Sequence, residues 1–337
     1  MLRNYKNDIK RHEHHYKGEN HKIDYLQYRQ ENSDHLIVVL SGFNGKETQG
    51  SPGRYNYMRT LNDIHINKLF IKDSVDNVPV YYMGTEGSTS YLDDVCRLIE
   101  EKLVEMNIDR KRLIFAGSSK GGTGALLIGL AVGAGHIISG ANQLDVGTYI
   151  STLNDKLKKM LFTRIVGHDG PDAPAILDRK FREKLLIDDT QTQFHFHGGN
   201  RDLHYSEHMV PLLRHFDKQG ILYELDLRAY AGHDNVMNYF PEYFIRKVEE
   251  ITANAFLERP GVKKKNDGTE IDVKIKNKTD NMDWAIYVYK KDRKIEKIMY
   301  NTEQKHMVSV RYEDIRSVKV FLRVNGEKVQ IEDYIVK

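Results

Sequence analysis

The 337-residue chain contains one cysteine, one tryptophan and seven prolines. A lone cysteine, Cys96, excludes an intramolecular disulfide and suits a reducing compartment. No apolar run approaches the roughly 20 residues that span a bilayer, and the opening Met-Leu-Arg-Asn-Tyr-Lys-Asn is too polar for a signal peptide. Neither sign of charge dominates, since 51 basic residues stand against 48 acidic ones, and no nucleic-acid-binding motif accompanies them. We therefore expect a cytoplasmic protein with no integral membrane segment and no nucleic-acid partner.

The most informative segment is a predicted strand that stops at a glycine-rich turn and continues as a helix. Residues 112–116 form the apolar strand, residues 117–121 read Gly-Ser-Ser-Lys-Gly, and residues 123–132 are apolar enough for a helix packed on a sheet. This layout predicts a nucleophile elbow that exposes the hydroxyl of Ser119 at a helix N-terminus. By itself the motif also fits a phosphate loop or an ordinary turn. It matches neither a Walker loop nor a dinucleotide fingerprint, so we expect no cofactor.

A second loop could supply an oxyanion hole. The apolar strand 36–40 ends in Ser-Gly-Phe-Asn-Gly. A glycine-flanked loop at this place can turn a backbone N–H toward the nucleophile, and Phe43 and Asn44 are the candidates. Together with the N–H of Lys120, such a donor would stabilise the oxygen of a tetrahedral intermediate. The alternative is an ordinary loop between a strand and a helix, which would have the same sequence.

The candidate acid and base follow two later strands. Residues 194–197 run into a glycine turn that ends at Asp202, and the alternating strand 222–227 is followed by a small-residue loop that carries His233. The chain order Ser119, Asp202, His233 is the order of the hydrolases with a nucleophile elbow and differs from those of chymotrypsin and subtilisin. Asp234 is a competing acid, but neighbouring loop residues rarely present their side chains to each other.

Most of the 15 histidines are expected to be surface or packing residues. His195 and His197 lie two apart on a predicted strand and share a face, which would suit a metal pair, but no third ligand is evident. The amino-terminal histidines, at positions 12, 14, 15 and 21, lie among charged residues and indicate adventitious metal binding or a solvated arm. His168, Asp169 and Asp172 fit a Gly/Pro/Asp turn better than a metal loop. We predict no metal site.

Four segments carry a resemblance: the loop after strand 36–40, the elbow at 117–121, the turn that ends at Asp202 and the loop that carries His233. With them the chain resembles the α/β-hydrolase superfamily over residues 22–257. Within it, the Gly-Ser-Ser-x-Gly-Gly elbow is similar to that of divergent bacterial hydrolases associated with capsule synthesis and accessory secretion. The resemblance implies a doubly wound, mostly parallel sheet, a small ester or acylated glycan as substrate, and protein partners from a surface-polymer or secretion pathway. Lys120 departs from the apolar or amide residue of many relatives, and its ammonium would draw an anionic substrate toward the nucleophile. The alternative is that its side chain points away along the helix and meets a nearby carboxylate, so that only its backbone N–H matters.

The sequence also predicts its own division. Residues 1–258 would form the hydrolase domain, with a lid-like insertion at about 142–190. Residues 259–269, with Pro, Gly and three lysines, would be a linker. Residues 270–337 alternate in hydropathy and predict a small all-β sandwich. From Val262 onward, 18 basic residues face 13 acidic ones. Solubilising surface lysines explain that excess, while an anionic glycan stacked on Trp284, Tyr287 and Tyr289 would be its functional explanation.

Two functions follow from the sequence. The first is a serine-dependent acyl hydrolase or acyltransferase, in which Ser119 forms an acyl-enzyme with the help of His233 and Asp202. The second is a hydrolase fold retained as a non-catalytic scaffold or glycan-binding partner. A missing triad member would favour the second, and none is missing.

Overall fold

A computed structural model describes residues 5–30, 33–43, 53–188, 190–252, 256–276, 281–324 and 326–336. The chain divides into two compact units, Met1–Lys247 and Val248–Lys337. Over the described ranges, no helix is both long and apolar enough to cross a membrane.

The first unit is built on an eight-stranded sheet with helices between its strands. Its strands are β1 (Glu13–Lys17), β2 (Lys22–Tyr28), β3 (Leu36–Leu40), β4 (Asn67–Ile71), β5 (Leu113–Ser118), β6 (His136–Gly140), β7 (Gln193–Arg201) and β8 (Tyr223–Ala231). The helices are α1 (Tyr5–His12), α2 (Ser90–Met106), α3 (Lys120–Val132), α4 (Val146–Ser151), α5 (Asp155–Val166), α6 (Ala173–Leu185), α7 (Val210–Gln219) and α8 (Val236–Thr252), of which α8 extends past the end of this unit.

The strands follow the order β1-β2-β4-β3-β5-β6-β7-β8. Neighbouring pairs from β4 to β8 are parallel, while β1 and β2 join antiparallel at one edge. Every residue of β3 and β5 is buried, as expected for central strands covered by helices on both faces. The predicted α/β class with a mostly parallel sheet is confirmed. Parallel strands end at the same edge, so the loops after β3, β5, β7 and β8 can meet there.

The amino-terminal histidines do not form a solvated arm. Residues 5–12 are helical, and β1 pairs along its whole length with β2, so that His14 lies opposite Tyr25 and His15 opposite Asp24. His15 Nδ1 lies 2.6 Å from a carboxylate oxygen of Asp24. The prediction failed because an edge strand exposed on one side needs little apolar periodicity when its partner strand supplies the buried face.

The second unit is all β beyond the end of α8. Its strands are β9 (Phe256–Lys265), β10 (Gly268–Lys276), β11 (Met282–Lys290), β12 (Ile295–Asn301), β13 (Lys305–Val308), β14 (Ile315–Val324) and β15 (Glu327–Ile335). They form a three-stranded sheet, β13-β10-β9, and a four-stranded sheet, β12-β11-β14-β15, both antiparallel. Side chains from both sheets share one apolar core.

Residues 259–269 are not an irregular linker. Residues 259–265 belong to β9, which turns directly into β10, and Lys263, Lys264 and Lys265 pair with residues 268–270. Pro260 is tolerated because β9 is an edge strand and its pairing register shifts opposite Val273. The division between the units falls at Lys247, inside α8 and upstream of the predicted boundary.

Trp284 is unavailable for stacking on a ligand, because it is fully buried in the core of the second unit. Its indole N–H donates to the Glu303 carbonyl at 2.8 Å. Tyr287 and Tyr289 are half-buried, and the ammonium groups of Lys297 and Lys319 lie 4.9 and 5.7 Å from their ring centroids.

Candidate active site

The elbow residue Ser119 links β5 to α3 in a strained backbone conformation, with φ of 54° and ψ of −128°. Its N–H donates to the Gly140 carbonyl at 2.8 Å, and its carbonyl accepts from Thr123 at 3.0 Å. A Cβ on Gly117 would overlap the backbone of Gly121, and one on Gly121 would overlap the Leu40 carbonyl oxygen. The two glycines therefore let strand and helix approach closely enough for the turn to form.

His233 lies at the end of β8, in a short 3₁₀ turn that follows the positive φ of Gly232. Its Nε2 is 2.8 Å from Ser119 Oγ, and its Nδ1 is 3.2 Å from Asp202 Oδ2. With the proton on Nδ1, the ring donates to the carboxylate and accepts from the serine hydroxyl. This is the tautomer that a general base needs.

The Asp202 carboxylate is buried immediately after β7. Oδ1 accepts from the backbone N–H of His204 at 3.0 Å and faces the Nδ1 of the same residue at 3.4 Å. Burial alone would raise the pKa of Asp202, but the hydrogen bonds from His204 and His233 outweigh it and hold that pKa well below its ordinary value. The carboxylate is therefore ionised at neutral pH. Asp234 is exposed, and it is Asp202 that contacts the ring of His233.

Two of the three predicted oxyanion donors fall within the described residues. Lys120 is the first residue of α3, so its N–H has no partner four residues earlier in the helix. The loop after β3 passes beside the elbow, as the position of Gly42 shows: a Cβ on this residue would lie 3.6 Å from the Ser118 carbonyl oxygen. Phe43 is half-buried and packs on the core. Asn44 lies outside the described residues.

The side chain of Lys120 does not face the nucleophile. It is fully buried, and its Nζ lies 2.8 Å from Asp73 Oδ2. The Asp73 carboxylate also accepts the backbone N–H groups of Val80, Tyr81 and Tyr82 at 2.9 to 3.1 Å. The expectation that this ammonium selects anionic substrates is wrong, and the alternative, a contact with a carboxylate, is the one observed. An ammonium neutralised by a buried carboxylate creates little field at the reacting centre.

The strand histidines serve packing rather than metal binding. His195 contacts the ring of His136 at 3.3 Å, whereas His197 lies 2.8 Å from Asp226 and 3.3 Å from the Tyr230 hydroxyl. The rings of His195 and His197 thus contact different partners. His168 contacts its own turn, accepting the Gly170 N–H at 3.2 Å.

Asp202, His204 and His233 could in principle hold a metal ion, since their ligand atoms lie within 4.8 Å of one another. The two imidazoles, however, are stacked nearly parallel, with centroids 3.6 Å apart and an interplanar angle of 14°. Imidazole lone pairs lie in the ring plane, so those of stacked rings run side by side and do not converge on one ion. The arrangement fits a shared carboxylate better than a metal site.

Three residues of this site were not identified from the sequence. His204 stacks on His233, Gln143 contacts His204 Nε2 through its amide nitrogen at 3.2 Å, and Tyr57 hydrogen-bonds Ser118 in the elbow. The only available signal was the position of His204 two residues after Asp202. Gln143 and Tyr57 come from distant loops and carry no local motif.

A pH-dependent loss of stability is expected from His208, which is 2% exposed. Burial, aided by the nearby His204, lowers the pKa of His208 to about 4 from an ordinary 6.5. Between these values the unfolded state binds the proton and the folded state does not, so the free energy of unfolding falls as pH drops through this window, by up to about 1.4 kcal/mol per pH unit.

Urea unfolding at pH 7.0, 5.5 and 4.5 measures this slope, and His208→Gln should reduce it. An unchanged slope in the variant would show that other groups carry the effect.

The mostly parallel sheet and the elbow at Ser119 together define a divergent α/β-hydrolase fold. Solved structures with this fold that resemble the chain include the capsule O-acetyltransferase of Neisseria meningitidis serogroup A, at 22% identity over 70% of this chain and 94% of the other, with a TM-score of 0.57. A glycosylation-associated protein complex (Gap123) of Streptococcus agalactiae matches at 19% identity over 72% of this chain and 46% of that one, with a TM-score of 0.60.

An S-formylglutathione hydrolase of Staphylococcus aureus matches at 16% identity over 71% of this chain and 97% of the other, with a TM-score of 0.50. No protein-family model matches the sequence, and no curated protein does. At these identities the likeness shows a common fold.

Proposed function

We propose that the protein is a serine-dependent acyl-transfer enzyme that uses Ser119, His233 and Asp202 as its catalytic triad. The observation that carries the proposal is the continuous chain of hydrogen bonds from Ser119 Oγ through both ring nitrogens of His233 to the buried Asp202 carboxylate. A strained serine at a helix N-terminus, facing a histidine base, has the geometry needed for nucleophilic catalysis.

The reaction begins when His233 Nε2 accepts the hydroxyl proton as Ser119 Oγ bonds to the carbonyl carbon of an ester. The carbonyl oxygen becomes an oxyanion, held by the Lys120 N–H and by an N–H of the loop at Phe43 or Asn44. Collapse of this intermediate breaks the bond to the leaving oxygen, which takes the proton from His233. Water or a second hydroxyl then attacks the acyl-enzyme by the same path and restores Ser119.

The acylated molecule is proposed to be a glycan of the cell surface. A capsule O-acetyltransferase and a glycosylation-associated complex are among the folds that this chain resembles, and partners from such a pathway are part of the proposal. One structure of the acetyltransferase, that of a histidine-to-alanine mutant, is in complex with CoA, which makes an acyl thioester a donor worth testing beside simple esters.

Specificity is proposed to reside in the segment between β6 and β7. It contains α4, α5 and α6, and Gln143 at its start contacts His204 in the site. A segment so placed could cover the nucleophile, as lids do in enzymes of this fold.

The proposal is tested by labelling with a fluorophosphonate probe, whose phosphorus is attacked by an activated serine with loss of fluoride. The wild type should label and turn over p-nitrophenyl acetate, and Ser119→Ala should lose both. Ser118→Ala is the matched control, because Ser118 stands beside the nucleophile but hydrogen-bonds Tyr57. Equal labelling of wild type and Ser119→Ala would overturn the assignment, and an inert wild type would favour a non-catalytic scaffold.

A further inference from the structure

The Asp202 carboxylate is shared by two imidazoles. Oδ2 faces His233 Nδ1 at 3.2 Å, and Oδ1 faces His204 Nδ1 at 3.4 Å. A triad requires only the first contact, so the second ring is an addition to the minimum machinery. Its side chain is 8% exposed, and burying a polar ring there is unfavourable unless its nitrogens are paired.

Both nitrogens of His204 have partners that fix its proton. The Gln143 amide nitrogen lies 3.2 Å from His204 Nε2 and can only donate, so Nε2 accepts and the proton resides on Nδ1, toward Asp202. Gln143 is itself anchored to the elbow helix, because its backbone N–H donates to Thr123 Oγ1 at 2.8 Å. A second hydrogen-bonded path thus runs from the acid back to the helix that follows the nucleophile.

The face of His204 also limits the movement of His233. The rings stack at 3.6 Å, and the rings of Tyr149 and His208 also pack against His204, with centroids 5.2 and 5.4 Å away. His233 is less buried than His204, since it lies on a loop and 26% of its side chain is exposed. Stacking restricts the ring to the plane in which its Nε2 meets Ser119.

We propose that His204 is a positioning residue for His233, acting through the shared Asp202 carboxylate and the stacked ring face. The inference rests on the proposed function. His204 acts as a neutral ring: burial lowers its pKa, the nearby His233 lowers it further, and Asp202 and Glu207 oppose the shift. When His233 takes the serine proton, its imidazolium therefore meets an uncharged neighbour.

The test compares His204→Ala, which removes ring and hydrogen bond, with His204→Asn, whose amide N–H can replace the Nδ1–H. We expect His204→Ala to lower kcat/KM for p-nitrophenyl acetate and the rate of fluorophosphonate labelling by about 10- to 100-fold, the range over which a positioning group acts. The acid limb of its pH–rate profile should also move, because the Asp202 carboxylate loses the second of its two imidazole partners. His204→Asn should recover part of the rate.

The matched control is His195→Ala, which removes another buried imidazole about 20 Å away along β7. It should lower the thermal midpoint without moving the acid limb. The hydrogen bond from His233 Nδ1 to Asp202 is observed separately by nitrogen-15-edited NMR, assigned against His233→Ala, and its proton signal should shift in His204→Ala whether or not the protein turns over an ester.

An unchanged acid limb and an unchanged Nδ1–H signal of His233 in His204→Ala would overturn the inference, even with Ser119-dependent labelling intact. Labelling that persists in Ser119→Ala would instead overturn the proposed function, while a shifted Nδ1–H signal of His233 in His204→Ala would still support the coupling of the two rings.

Discussion

Asp202→Asn is expected to lower kcat for a small ester by about 10³- to 10⁴-fold while leaving the fold intact. The carboxylate accepts from both His233 and His204, and an amide can accept only through its oxygen. If the amide nitrogen faces His233, it donates to Nδ1 and moves the ring proton to Nε2, where it blocks abstraction from Ser119. Steady-state hydrolysis of p-nitrophenyl acetate and circular dichroism measure the two parts of this expectation.

Asp234→Asn is the matched comparison, since it removes the same charge one residue from the base. Asp234 is exposed, and an exposed charge is worth at most about 1 kcal/mol, so its loss should change kcat by no more than about fivefold. Equal losses in the two variants, or a larger loss in Asp234→Asn, would show that the acid was misassigned.

Lys120→Met is expected to destabilise the first unit by about 3 to 5 kcal/mol, because it leaves the buried carboxylate of Asp73 without its cation. Activity on neutral and anionic esters should fall in equal proportion as folded protein is lost. Urea unfolding followed by fluorescence, with both esters assayed on the same preparations, measures these effects.

The double variant Lys120→Met with Asp73→Asn supplies the control. Removing both charges should recover part of the lost stability, since the amide oxygen can still accept from the backbone N–H groups of Val80 and Tyr82, which donate to the same oxygen of Asp73, while the N–H of Tyr81 loses its acceptor. A selective loss of activity on anionic esters in a fully folded Lys120→Met protein would contradict the structural assignment of this lysine.

The sheet and the elbow were predictable because their signals are local. The apolar runs at 36–40 and 112–116 mark β3 and β5, and the glycines of the elbow are required by backbone contacts within a few residues or with the adjacent strand. The sequence alone predicted that Ser119, Asp202 and His233 each follow a strand, and the ends of these three parallel strands share an edge of the sheet.

The parts that were missed depend on contacts between distant segments. Nothing near Lys120 indicates that Asp73, 47 residues earlier, lies within reach of its side chain. The stack of His204 on His233 depends on the turn after β7 and the loop after β8 folding against each other. The strand β9 was hidden because proline, glycine and lysine usually signal irregular chain, whereas a bulged edge strand accepts them.

The backbone of Ser119 sets the stability of this position against its chemistry. A side chain held at φ 54° and ψ −128° costs on the order of 1 to 3 kcal/mol, and glycine at the same position would avoid most of that cost. On backbone strain alone, glycine would therefore fit this position better than serine. The hydroxyl group at the elbow is carried at the expense of fold stability.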